Sequence, residues 1–135
     1  MNTCGIMNDF IIKLLELKNL IQILHWTTSS YSKHKATDKL IESLQSLIDK
    51  FTEVAIGKNV INKKELRKYY LKYKFLNNKS NNNTNEYIEN FVDKLIDNIN
   101  EIRNLIDDAN YTDLLNILDE ILAELNQFKY LLSFH

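Results

Sequence analysis

Residues 40–55 read LIESLQSLIDKFTEVA, and this stretch decides the fold. Its apolar side chains recur every three or four residues, which is the spacing of one face of an α-helix. Gly57 follows, and glycine is a favourable residue at a helix end. We predict a helix over residues 32–56, with core-facing side chains from Leu40, Leu44, Leu47, Phe51 and Val54.

Three further segments show the same periodicity and predict helices near residues 9–27, 86–108 and 112–132. Asn8 or Asp9 is expected to cap the first of them. The chain has 135 residues but only two glycines and no proline, which disfavours the tight turns of β-sandwiches and barrels. We predict an all-α single domain over the whole chain. Its four helices form one bundle, with one long crossover between the second and the third.

The crossover segment, residues 58–85, differs in charge from the rest of the chain. Residues 58–79 carry eight basic side chains and one acidic, whereas residues 80–135 carry three basic and eleven acidic. Lysines interleaved with aromatic residues are compatible with a nucleic-acid patch, or with a segment that packs on the bundle and holds its ammonium groups in water. We expect the second arrangement, with a short helix, an Asn-rich loop at residues 77–85 and at most weak nucleic-acid contacts.

Several classes of protein are excluded by composition. No apolar run is long enough to span a membrane, and the first residues lack the pattern of a signal peptide. Cys4 is the only cysteine, which excludes disulfide scaffolds and thiolate zinc sites. The scarcity of glycine excludes Gly-rich phosphate loops. We therefore expect a chain that works in the cytoplasm without a membrane partner.

Histidine and carboxylate side chains gather around the first two predicted helices. His25 ends the first helix, and the other four share one stripe beside the apolar face of the second. Imidazole and carboxylate together form a suitable ligand set for iron(II), manganese or zinc. The neighbouring Trp26 is expected to anchor packing near the site. The candidate metal ligands are His25, His34, Asp38, Asp49 and Glu53.

These ligands cannot all bind one ion within one chain. Asp38 and Asp49 are eleven residues apart, which corresponds to about 16 Å of helix. Two antiparallel copies of the helix, related by a two-fold axis, solve the problem. His34 and Asp38 of one chain then face Asp49 and Glu53 of the other, twice per dimer. The alternative for the four residues of the second helix is a solvated helix face with side-chain pairs one turn apart and no metal. The alternative for His25 is a buried histidine that bonds a backbone carbonyl.

The motif His25-Trp26, followed by His34-x3-Asp38-x10-Asp49-x3-Glu53, resembles the ferroxidase signature of Dps-type mini-ferritins. The string from His25 to Ala36 also resembles small ferritin-like proteins of bacteriophages and large DNA viruses. The resemblance implies a ferritin-like four-helix bundle and a homodimer around the second helix, with a closed shell as a further step. It also implies that the five candidate residues are the metal ligands and catalytic residues of an inter-subunit site. That site would oxidise Fe(II) with peroxide or oxygen, with zinc or manganese as substitutes for iron.

The chain also departs from the pattern of that family. Eight residues separate His25 from His34, whereas the family typically has eleven, and neither the usual loop glycine nor a basic N-terminal tail is present. An alternative function is therefore a non-catalytic ferritin-like interaction or virion-structural protein with a degenerate metal site. In either case a viral source would place it in the host cytoplasm or the virion. A metal-dependent hydrolase is a third option, for which Glu86-x-x-Glu89 is the only suitable carboxylate spacing.

Overall fold

The computed structural model describes residues 2–73 and 84–133, and within these ranges it is all-helical. This confirms the all-α prediction. The last two helices are joined by a short 3-10 turn at Ala109–Tyr111. The five α-helices are α1 (Thr3–Thr27), α2 (Tyr31–Gly57), α3 (Lys63–Lys72), α4 (Thr84–Leu105) and α5 (Thr112–Leu132).

The four long helices pack in a ring around one core. α1 contacts α2 and α4, and α5 contacts the same two helices, so α1 and α5 lie at opposite corners. The buried side chains are almost entirely apolar, as expected for the dominant stabilising term in a domain of this size. α1 is apolar on more than one side because it also contacts α3. Its fully buried side chains include Met7, Phe10, Leu14, Leu17 and Ile21.

Cross-helix contacts fix the helix directions. Near the start of α1, the rings of Phe10 and Phe51 lie 5.7 Å apart in an edge-on arrangement, so α1 and α2 are antiparallel. Lys58, just after α2, pairs with Asp113 at the start of α5 at 3.4 Å, so α2 and α5 are antiparallel too.

Arg103 pairs with Asp119, and Lys129 pairs with Asp93. These two ion pairs show that α4 and α5 are antiparallel. α2 and α4 therefore run in the same direction at opposite corners. The chain between them must travel the length of the bundle, as the predicted long crossover requires.

The start of α1 differs from the prediction. The helix begins at Thr3, six residues before residue 9, because the Asn2 side chain accepts a hydrogen bond from the Gly5 N–H at 2.8 Å and caps it. The expectation that Asn8 or Asp9 caps the helix is therefore wrong. Asn8 is buried inside α1 instead.

The end of α4 also differs, since the helix stops at Leu105 and does not reach residue 108. Asp107 and Asp108 follow, and carboxylates are unfavourable at the negative end of a helix dipole. Asp108 instead accepts a hydrogen bond from the Asn110 N–H at 2.8 Å and starts the 3-10 turn. The boundaries of α2 and α5 agree with the prediction to within one residue.

α3 forms the first part of the crossover and packs along α1. Tyr69 donates a hydrogen bond to Asp9, and Tyr73 donates one to the buried Glu16 at 2.9 Å. Burial and these carboxylates raise the pKa of both tyrosine hydroxyls above the usual value. The basic side chains of α3 are all exposed, as the sequence predicts: Lys63, Lys64, Arg67, Lys68 and Lys72.

α3 packs on the corner helix that is diagonal to α5, so the basic side chains of α3 lie apart from the acidic α5, whereas Lys58 at the start of the basic segment pairs with Asp113 of α5. The Asn-rich loop predicted at residues 77–85 falls largely outside the described residues. Within the described ranges, no helix combines the length and the apolar character that crossing a bilayer requires.

Candidate metal centre

The short turn between α1 and α2 brings two predicted ligands into contact. His25 lies in the last turn of α1, and His34 lies in the first turn of α2. Only Thr28, Ser29 and Ser30 separate the two helices. The Ser30 side chain accepts from the Lys33 N–H at 3.3 Å and caps α2. The imidazole rings stack with centroids 4.0 Å apart and an interplanar angle of 16°.

The two histidines are joined by reciprocal hydrogen bonds. The Nδ1 atom of His25 lies 2.8 Å from the His34 carbonyl oxygen, and the Nδ1 atom of His34 lies 3.0 Å from the His25 carbonyl oxygen. A carbonyl oxygen only accepts hydrogen bonds, so both Nδ1 atoms must carry a proton and donate it. Each ring is thereby held by the backbone of the other residue.

Thr37 supports this pair from the core side. Its buried hydroxyl lies 3.0 Å from Nδ1 of His25 and donates to the Lys33 carbonyl oxygen at 2.7 Å. The hydroxyl proton is thus directed to the backbone, and the oxygen is left to accept from His25. Sequence reasoning missed Thr37. Its position on α2, one turn after Lys33 and three residues after His34, is the sequence feature that could have identified it.

The fixed Nδ1 protons determine what the imidazoles can do. In a neutral histidine with a proton on Nδ1, the Nε2 atom carries a lone pair and is the metal-binding atom. An Nδ1–H bond to a backbone carbonyl is a common way of orienting a metal-ligating histidine. The turn therefore holds two imidazoles in the tautomer that metal binding requires.

The acidic candidates lie further along α2, and all are exposed. Asp38 follows His34 by one helical turn. Asp49 and Glu53 lie one turn apart in the last third of the helix. Asp49 accepts a hydrogen bond from Gln45 at 3.0 Å, and Gln45 accepts one from Lys18 on α1.

The five candidate residues thus fall into two groups within one chain. One group is His25, His34 and Asp38 near the turn, and the other is Asp49 and Glu53 near the far end of α2. The helix between them is continuous, so Asp38 and Asp49 remain about 16 Å apart along its axis. In the described part of the chain, no three His, Cys, Asp or Glu side chains come together as a metal-binding group.

The expected packing of Trp26 beside the site is wrong for the single chain. Its side chain is 68% exposed, although it follows the partly buried His25 directly. Ile23 on the preceding turn and Tyr31 at the start of α2 are also exposed, at 54% and 72%. The site therefore lies next to a cluster of large apolar side chains that the chain itself leaves in water.

A cavity of about 260 Å³ lies at the other group of carboxylates. It opens between α1, α2 and α3, and Asp49 and Glu53 lie on it. Its apolar walls come from Ile11, Ile12, Leu15, Ile48 and Leu66.

Comparison with curated proteins and comparison with solved structures each give no match. A family model does match, over residues 25–132, and it is described as a family of unknown function. The matched region begins at His25 and includes all five candidate ligands. Since it covers most of the 135 residues, the chain belongs to the family of unknown function DUF5856.

Proposed function

We propose that this protein binds Fe(II) at sites shared between two copies of the chain and oxidises it to Fe(III). The observation that carries the proposal is the reciprocal bonding of His25 and His34. Both Nδ1 atoms are engaged by backbone carbonyl oxygens, which leaves the Nε2 atom of each ring as the nitrogen available to a metal.

The donor set suits iron. His34 and Asp38 supply an imidazole and a carboxylate from one turn of α2, and His25 supplies a second imidazole. Nitrogen and oxygen donors of this kind bind Fe(II), and they also bind manganese and zinc. Asp49 and Glu53 add two carboxylates, which favour the harder Fe(III) product over Fe(II).

Two chains are needed because α2 is continuous from His34 to Glu53. A two-fold axis that lies outside α2, at the level of Ser43 and Leu44 along the helix, relates the two copies. It sets His34 opposite the partner's Glu53 and Asp38 opposite the partner's Asp49. All four side chains are exposed, so a partner helix can reach them. The dimer then contains two equivalent sites, each with ligands from both copies.

The fold supports the same function. In a ferritin-like bundle, the second and third long helices run parallel at opposite corners and are joined by one long crossover. α2 and α4 of this chain have that relationship, and α3 begins the crossover. We therefore propose a ferritin-like bundle related to the Dps-type mini-ferritins, with iron as the substrate.

The reaction balances with peroxide as oxidant. Two Fe(II) ions lose one electron each, and one hydrogen peroxide takes up both electrons and two protons to give two water molecules. With dioxygen, four Fe(II) ions supply four electrons, and four protons are taken up to give two waters. The ligands hold the ions where the oxidant can reach an open coordination position. Storage of the Fe(III) product would require dimers to close into a shell.

The test is anaerobic Fe(II) titration of the purified protein, followed by peroxide and absorbance measurement of Fe(III) formation. We expect about two Fe(II) ions to bind per dimer as a minimum. We also expect the protein to oxidise Fe(II) faster than Fe(II) is oxidised free in solution. Asp38→Ala and Glu53→Ala should each abolish the fast phase. Glu101→Ala, which removes an exposed carboxylate on α4, should not. A dimer that binds no metal would instead support the non-catalytic interaction or virion-structural alternative.

A further inference from the structure

Trp26 is a large apolar side chain that is exposed to solvent on one side of α1. It lies eleven positions after Leu15, and eleven positions rotate an α-helix by three turns plus about 20°. Trp26 and Leu15 therefore share one side of α1. Leu15 lines the cavity between α1, α2 and α3. The exposed indole and the cavity thus belong to the same outer face, at its two ends.

The cavity has the size and chemistry to accept an indole ring. An enclosed apolar cavity of about 150 Å³ holds benzene, and this one, which opens to the surface, is about 260 Å³. An indole carries one N–H donor, which needs an acceptor when the ring is buried. Asp49 and Glu53 lie on the cavity and provide carboxylate oxygens.

Trp26 and the cavity are also at matching heights in the proposed dimer. Trp26 follows His25, which stacks on His34, so Trp26 is level with His34. The two-fold axis sets His34 opposite the partner's Glu53, and Glu53 lies on the cavity. Trp26 of one copy is therefore level with the cavity of the other.

Charges at the two ends of this face are complementary. The exposed Lys35 lies beside His34, and its ammonium group is 5.3 Å from the centroid of the Tyr31 ring. The opposite end carries Asp49 and Glu53. An antiparallel pairing brings the lysine of one copy to the carboxylates of the other, which offsets the approach of Asp38 to the partner's Asp49. A parallel pairing would set Asp49 and Glu53 against the same two carboxylates with no lysine between them.

We infer that Trp26 of each copy docks into the cavity between α1, α2 and α3 of a second copy, beside the carboxylates of the shared site. The inference rests on the two-fold dimer of the proposed function and adds the contact that holds it together. The docked indole excludes water from the apolar side of the metal site. It also fixes which residues of the two α2 helices face each other. The partner is a second copy of this chain, and the docking does not require metal.

The chain contains a single tryptophan, so its fluorescence reports on this contact alone. The experiment uses metal-free protein in chelator, at concentrations below and above the dissociation constant measured by sedimentation. We expect the Trp26 emission to shift to shorter wavelength as the dimer forms. Quenching by acrylamide should fall several-fold over the same concentration range.

Two variants test the two sides of the contact by sedimentation. Trp26→Ala should raise the dimer dissociation constant by about 30-fold or more, as is typical of a central tryptophan in an interface. Thr52 also lines the cavity, so Thr52→Phe places a ring in the cavity of every copy and should weaken the dimer in the same way. Leu105→Ala, at an exposed apolar residue of α4, is the matched control and should change nothing. Circular dichroism checks that each variant is folded.

The possible results are distinguishable. A dimer in which Trp26 stays fully quenchable overturns the docking but leaves a shared metal site intact. A chain that is monomeric at all concentrations overturns both the docking and the proposed function. A dimer that protects Trp26 but does not oxidise Fe(II) supports the docking and overturns only the function.

Discussion

His25 and His34 are each hydrogen-bonded through Nδ1 to the backbone carbonyl oxygen of the other, at 2.8 Å and 3.0 Å. The pair ties the end of α1 to the start of α2 across a three-residue turn. It also fixes both imidazoles in one tautomer without any carboxylate partner. The three-residue turn between α1 and α2 is what brings the two residues into contact.

Thr37→Val should weaken metal binding without unfolding the bundle. The change keeps the shape of the side chain but removes the hydroxyl that lies 3.0 Å from Nδ1 of His25. Loss of such a supporting contact typically costs about 10- to 100-fold in metal affinity. Anaerobic Fe(II) titration measures the effect, and circular dichroism controls for folding. An unchanged affinity would contradict the supporting role of Thr37 at the metal site.

Phe51→Ala should destabilise the protein strongly. Phe51 is fully buried and packs edge-on against Phe10, so its removal leaves a cavity at the α1–α2 contact. We expect the free energy of unfolding to fall by about 3–5 kcal/mol in urea denaturation. Lys50→Ala, at the adjacent exposed position, should stay within about 0.5 kcal/mol of the wild type. Similar values for the two variants would contradict the packing described for α2.

Tyr73→Phe should loosen α3 and alter the dependence of stability on pH. The lost hydroxyl donates to the buried Glu16 at 2.9 Å, and such a deletion costs about 1–3 kcal/mol. The pKa of Tyr73 is raised above 10.0 in the folded state, by burial and by Glu16. Its contribution is therefore complete below pH 10 and is lost as the pH rises above that value.

Urea denaturation between pH 8 and about pH 11 measures this effect. The stability difference between wild type and Tyr73→Phe should shrink above pH 10. A stability difference that stays constant across this pH range would show that the Tyr73 hydroxyl makes no hydrogen bond in the folded state. Lys94→Ala, at an exposed residue of α4, is a suitable surface control.

The four long helices could be predicted from the sequence because their apolar residues recur with helical spacing over twenty residues or more. The start of α1 could not, since Asn2 lies outside the strongest part of that pattern. The contact between His25 and His34 depends on the backbone path through Thr28–Ser30, which periodicity does not describe. The exposure of Trp26 depends on which sides of α1 the other helices cover. α2, α3 and α4 all contact α1, but they leave the side that Trp26 occupies exposed.

The most direct test of a site shared between chains uses mixed dimers of Asp38→Ala and Glu53→Ala. In such a heterodimer, one of the two sites contains both substitutions and the other contains neither. Each variant alone should lack fast Fe(II) oxidation, and the heterodimer, purified with two different tags, should recover about half of the wild-type amplitude per dimer, because one of its two sites is intact. A heterodimer that forms but shows no fast oxidation would contradict the account, because Asp38 and Glu53 would then not belong to one shared site.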